Sequence, residues 1–246
     1  MRAAKAMQLS IHSGRIATWY FPPLGSRRLG TVLVTHGWGA RTEYMLEIIS
    51  ALQKDGHAVV ALDLPGHGGS SGRTLDMARA VEAVDAAWRQ YGPFSMMVGH
   101  SFGGAVVLNA AVASVEGFRA NSPDKLALIS APNSLPAVFE WFADLLGLRP
   151  KSRRALYDGV AEVTGRPLET FIGTVQLAVF GKPTLVIHAP DDREITADSA
   201  RAFQTAGDHV QLCWADGLGH RRILRSADVA ERLCAFARAG DRAAAA

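Results

Sequence analysis

Apolar residues along this chain follow two rhythms that alternate. Short runs rich in β-branched residues, at 31–35, 58–62, 94–98 and 126–130, read as strands buried on both faces. Between them, apolar residues recur at three- and four-residue spacing. Leu46, Ile49 and Leu52 do so within 43–54, and Met77, Val81, Val84 and Trp88 within 76–91. That spacing collects side chains on one stripe of a helix. A further helix is predicted at 102–113. Buried strands alternating with helices over short connections predict an α/β fold, a mostly parallel sheet with helices on both faces. Two early segments, 7–12 and 16–21, pattern as a hairpin at the sheet edge.

The alternation breaks after residue 130. Helical stretches at 135–148, 152–164 and 168–180 follow one another, punctuated by Gly147 and Pro150 and then by Gly165 and Pro167. Strands at 184–188 and 210–214 and helices at 197–206 and 227–237 restore it. The expected organisation is an α/β core of residues 1–130 and 182–240, a helical lid inserted at 131–181, and a flexible Ala-rich tail at 241–246.

Composition narrows the function classes. The 246 residues are 48% apolar and 20% charged, as in ordinary globular proteins. The net charge of +3 is spread along the chain, which argues against a nucleic-acid partner. No apolar run resembles a secretory signal or a membrane span, so a cytoplasmic protein without a membrane span is expected. Cys213 and Cys234 lack metal-site spacing and read as buried thiols, and neither metal nor cofactor is expected. There is no Gly-x-Gly-x-x-Gly after the first parallel strand and no P-loop lysine, which disfavours nucleotide binding. Oligomeric state is not legible.

The chemistry concentrates where strand 94–98 gives way to helix 102–113. Gly99-His100-Ser101-Phe102-Gly103 matches Gly-x-Ser-x-Gly. A strand-to-helix turn this tight strains its central residue, and flanking glycines remove Cβ atoms that would clash. Ser101 is then presented beyond the carboxyl ends of the strands, at a helix N-terminus that favours developing negative charge.

Three motifs in order now resemble the α/β-hydrolase superfamily along almost the whole chain. His36-Gly37-Trp38-Gly39 resembles its oxyanion loop. The stretch from Asp63 to Gly72 resembles its Asp-x-x-Gly-x-Gly-x-Ser loop, and Gly99 to Gly104 its nucleophile elbow. The resemblance implies that Ser101 is the nucleophile, that the backbone N–H groups of Trp38 and Phe102 form the oxyanion hole, and that 131–181 is a cap.

A serine needs a base. His36, His67 and His100 lie inside loop motifs and read as structural. His12, His57 and His209 flank strands and read as surface residues, and His188 as packing near the site. His220 follows the last strand through Gly217-Leu218-Gly219, where the family places its base. The resemblance puts the acid in the loop after strand 184–188. In its usual register Asp192 is the acid, with Asp191 the alternative and Glu194 solvent-exposed; the family's usual glycine is Ala189 here. Within 135–148, Phe139, Trp141 and Phe142 are expected to line an apolar substrate pocket. Lys151, Arg153 and Arg154 form a basic turn able to meet an anionic tail.

The expected activity is a serine carboxylesterase working through an acyl-enzyme on a small-molecule ester. Thioesterase, lactonase, C–C hydrolase and acyltransferase chemistry use the same residues. A non-catalytic ligand-binding member of the fold is the rival of a different class. A dehalogenase would need a carboxylate at position 101.

Overall fold

A computed structural model describes residues 4–239; the tail expected at 241–246 lies outside them. An eight-stranded sheet runs in the order β1-β2-β4-β3-β5-β6-β7-β8. The strands are β1 (Lys5–Ile11), β2 (Gly14–Phe21), β3 (Thr31–Thr35), β4 (Ala58–Leu62), β5 (Met96–His100), β6 (Lys125–Ile129), β7 (Thr184–His188) and β8 (Val210–Trp214). β1 and β2 form the edge hairpin and β2 joins β4 antiparallel; every other pairing is parallel.

Strand residues alternate between two cores, because successive side chains leave a strand on opposite faces. Val32, Val34, Val98, Ile129 and Ile187 pack with helices α1 (Leu46–Asp55) and α9 (Ala227–Arg238). Leu33, Met97, Leu128 and Val186 pack on the other face with α2 (Met77–Tyr91) and α3 (Phe102–Ala111). α2 starts at an Asp76 cap whose side chain accepts the Arg79 N–H. Helix α3 is apolar all round because the sheet and neighbouring helices enclose it, and Gly103 to Ala111 are all buried.

Between β6 and β7 come α4 (Leu135–Leu145), α5 (Pro150–Thr164), a 3-10 turn at Leu168–Thr170 and α6 (Gly173–Phe180). The single helix expected at 168–180 is thus broken. Leu135 N–H donates to the Phe171 carbonyl, and Ile172 bridges Ser134 in antiparallel fashion, so cross-chain pairing replaces helical bonds there. Lys151, Arg153 and Arg154 belong to the first turns of α5 rather than to a turn between helices, since Pro150 opens that helix, a position proline tolerates. The fifth strand extends two residues further than expected, to His100, because Gly99 keeps its ladder partners Thr35 and Leu128. Helix α7 (Ala197–Gln204) and the short α8 (Gly219–Arg222) complete the fold.

After β3 the chain crosses to β4 on one side, and after β4 it returns to β5 on the other. Loops leaving β3 and β5 therefore diverge and open a crevice at their carboxyl ends, where doubly wound sheets bind ligands.

Candidate active site

Ser101 sits at the turn from β5 into α3 with φ 53° and ψ −125°, a conformation side chains rarely adopt. The neighbouring glycines make this turn possible. A Cβ at Gly99 would lie 2.3 Å from the Gly103 carbonyl oxygen, one at Gly103 2.4 Å from that of His36, and one at Gly104 2.6 Å from the Ala131 Cβ. The Ser101 N–H donates to the Ile129 carbonyl of the adjacent strand, pinning the elbow to the sheet. Phe102 opens α3, so its amide has no carbonyl a turn earlier within that helix.

The loop after β3 faces the elbow. The Trp38 ring packs edge-on to Phe102 at 5.6 Å between centroids, and Trp38 is 63% exposed. His36 anchors this loop. Its Nδ1 lies 2.8 Å from the Gly37 carbonyl and its Nε2 accepts the Leu64 N–H at 3.0 Å, so burial, the dominant influence, pushes its pKa down. Asp63 binds the Thr42 N–H with one oxygen and the Gly69 N–H with the other. His67 accepts the Gly39 N–H at 3.0 Å. These three motif residues therefore brace the loops around the crevice.

His220 lies in α8, beyond Gly217 (φ 73°) and Gly219 (φ 57°), whose left-handed backbone turns the chain back over the sheet. Its Nδ1 is 2.8 Å from Asp192 Oδ2. Asp192 Oδ1 accepts the N–H groups of Glu194 and Ile195, both at 2.9 Å. Burial alone would raise the Asp192 pKa; the bonds from His220 and Ile195 outweigh it and hold the carboxyl at about 2. Asp191 instead accepts the Gly219 N–H at 3.2 Å, so it braces the loop and does not meet the His220 ring.

His220 is tied to the elbow through His100, which precedes Ser101. His100 Nε2 donates to the His220 carbonyl at 2.8 Å, and the two rings are 4.8 Å apart. Burial, with help from His220, pushes the His100 pKa down to about 4. Among the described residues no hydrogen bond joins Ser101 Oγ to the His220 ring; such bonds often tighten only when substrate is bound. His220 Nε2 lies 3.7 Å from Glu194 Oε2. Nothing in the sequence signalled that approach, because it depends on where a half-exposed side chain of one loop meets another loop.

His188 is fully buried, its Nε2 2.9 Å from the Ile195 carbonyl and 3.8 Å from Asp192 Oδ2. Burial lowers its pKa, so it packs as a neutral ring behind Asp192. His57, expected on the surface, is 1% exposed; its Nδ1 faces the Gly30 carbonyl at 3.3 Å under the turn that starts β4.

Phe139 packs against the body of the fold, whereas Trp141 (60%) and Phe142 (44%) are exposed on α4. Arg153 bonds Glu140 and Asp144, and Arg154 bonds Asp158 through Nε alone, while Lys151 is exposed. A surface groove of about 560 Å³ between α1 and α9, lined by Lys54, Asp55 and Cys234 among others, contributes none of these residues. No His, Cys, Asp and Glu cluster able to hold a metal ion occurs among the described residues. No described helix is long and apolar enough to cross a membrane.

Fold and crevice define an α/β hydrolase. The sequence model of the alpha/beta hydrolase family matches residues 32–232, and the chain belongs to that family. It is 34% identical over 205 residues to the dihydrolipoyllysine-residue acetyltransferase component of the acetoin cleaving system of Cupriavidus necator, covering 70% of this chain and 54% of that protein. It is 34% identical over 107 residues to caffeoylshikimate esterase of Arabidopsis thaliana, covering 39% and 32%. The chain thus spans between about a third and about half of the length of these curated relatives. Among solved structures, the esterase domain of a Rhodothermus marinus protein superposes with a TM-score of 0.68 at 26% identity, over 96% of this chain and 98% of that one. Est1E from Butyrivibrio proteoclasticus, with ferulic acid bound, gives 0.74 at 19% identity over 94% and 99%, a likeness of fold.

Proposed function

We propose that this chain is a serine hydrolase of carboxylic esters, with Ser101 as nucleophile, His220 as base and Asp192 as acid. The observation that carries the reading is the 2.8 Å pairing of His220 Nδ1 with Asp192, on a loop whose backbone is bonded to the residue preceding Ser101.

In acylation, His220 Nε2 takes the Ser101 proton as Oγ attacks the ester carbonyl. Asp192 keeps the ring in the Nδ1–H tautomer and stabilises its protonated form. The oxyanion is received by the backbone N–H groups of Trp38 and Phe102, the second of which lies in the first turn of α3, where amides lack helical partners. Collapse of the intermediate sends the proton from Nε2 to the departing alcohol; water then repeats the sequence on the acyl-serine. The segment 131–181 acts as a lid in this reading, with Phe139, Trp141 and Phe142 able to line the acyl path once it closes. Relatives named as esterases support the ester assignment.

A fluorophosphonate probe and a series of p-nitrophenyl esters, run beside acyl-CoA thioesters, test this directly. The wild-type protein is expected to be labelled and to hydrolyse the esters. Ser101→Ala should abolish labelling and lower kcat by at least about 10⁴-fold. Unchanged turnover in that variant would refute the assignment.

A further inference from the structure

Glu194 has a place in this site that the three proposed catalytic residues leave unused. Its two carboxylate oxygens face different ways. Oε1 accepts the Arg221 Nε at 3.0 Å, and Oε2 stands 3.7 Å from His220 Nε2. Nε2 is the nitrogen that must protonate the departing alcohol, so the ester's alkoxy oxygen has to come within about 3 Å of it. The Glu194 carboxylate is therefore a neighbour of the alcohol half of the substrate and not of the acyl half, which remains bonded to Ser101.

Two carboxylates flank the His220 ring, Asp192 on Nδ1 and Glu194 beside Nε2. Asp191, on the same loop, sits against Gly219, and Asp192 lies on the far side of the His220 ring. The Arg221 side chain pairs with Glu194 through Oε1 and leaves Oε2 towards His220; at 82% and 49% exposure the pair is screened by water. On α5, Arg153 pairs with Glu140 and Asp144, and Arg154 with Asp158.

We infer that Glu194 is a specificity-determining residue that favours esters whose alcohol carries positive charge near the ester oxygen and disfavours those whose alcohol is anionic. The inference rests on the ester-hydrolase reading above and names its leaving-group class.

Three butyrate esters test it: butyrylcholine, its uncharged isostere 3,3-dimethylbutyl butyrate, and anionic carboxymethyl butyrate. For the wild-type protein, kcat/KM should fall in that order, by about fivefold at each step at low ionic strength. High salt should compress the series, because the effect acts through solvent-exposed charge. Glu194→Gln, which preserves shape, should reduce the differences to within about twofold, and Glu231→Gln, on the remote helix α9, should keep the wild-type order. The same ranking in Glu194→Gln as in the wild type, or a wild-type series indifferent to charge or to salt, would overturn the inference while neutral esters were still hydrolysed. Failure to turn over any of the esters, with no fluorophosphonate labelling, would instead overturn the ester reading and this inference with it. The salt series on wild-type protein decides the matter even if the substituted chain does not fold.

Discussion

Asp191 and Asp192 show what sequence can and cannot resolve at the level of single residues. Both lie in the loop after β7, and either was a candidate for the acid. The family register favoured Asp192, and the structure gives Asp192 to the His220 ring and Asp191 to the Gly219 amide. Asp192→Asn is expected to lower kcat about 10⁴-fold by presenting the wrong tautomer to Ser101, in line with the loss typical of such sites. Asp191→Asn should cost less than tenfold, since it weakens a single loop bond; steady-state kinetics on both variants check the contrast. The strained turn at Ser101 was legible because it requires glycines around it, and those glycines are visible in a string of letters. The burial of His57 and the approach of Glu194 to Nε2 were not legible, because each depends on segments far apart in the chain.

At the scale of elements, patterns with an unambiguous period were readable. β3, β4, β7 and β8 match their expected bounds, since β-branched runs flanked by turn residues admit few other readings. Glycine misled in two places. Gly99 reads as a strand breaker yet sits within β5, and Gly217-Leu218-Gly219 reads as open loop yet leads straight into α8, which carries His220. The same residue type is indispensable at the elbow. Gly104→Ala would bring a Cβ within 2.6 Å of the Ala131 Cβ, in a region with no solvent to yield. The variant is expected to lose roughly 1–3 kcal/mol by overpacking, read as a lowered urea midpoint at unchanged slope.

For the whole molecule, the buried histidines predict how stability responds to acid. The folded-state pKa of His100, about 4, lies below its ordinary 6.5. Between those values the unfolded chain takes up a proton that the native chain refuses, so stability is full above 6.5 and falls as pH drops towards 4. His100 alone accounts for about 3 kcal/mol of this loss, and His36 and His188 shift in the same direction. Asp192 adds a second decline. Its pKa of about 2 lies below its ordinary 3.8, so its contribution is present above 3.8 and disappears as pH falls towards 2. Urea midpoints measured from pH 8 down to pH 4 should therefore be level at first and then drop, with His100→Gln flattening part of the slope.

The order of strands also bears on how the molecule is made. Ser101 leaves the ribosome more than a hundred residues ahead of His220, which follows β8 at the rim of the sheet. A nascent chain thus displays an unarmed hydroxyl throughout most of its synthesis. On the proposed mechanism the imidazole arrives only once the chain beyond the edge strand β8 has been made and folded, so a half-made copy would lack its base.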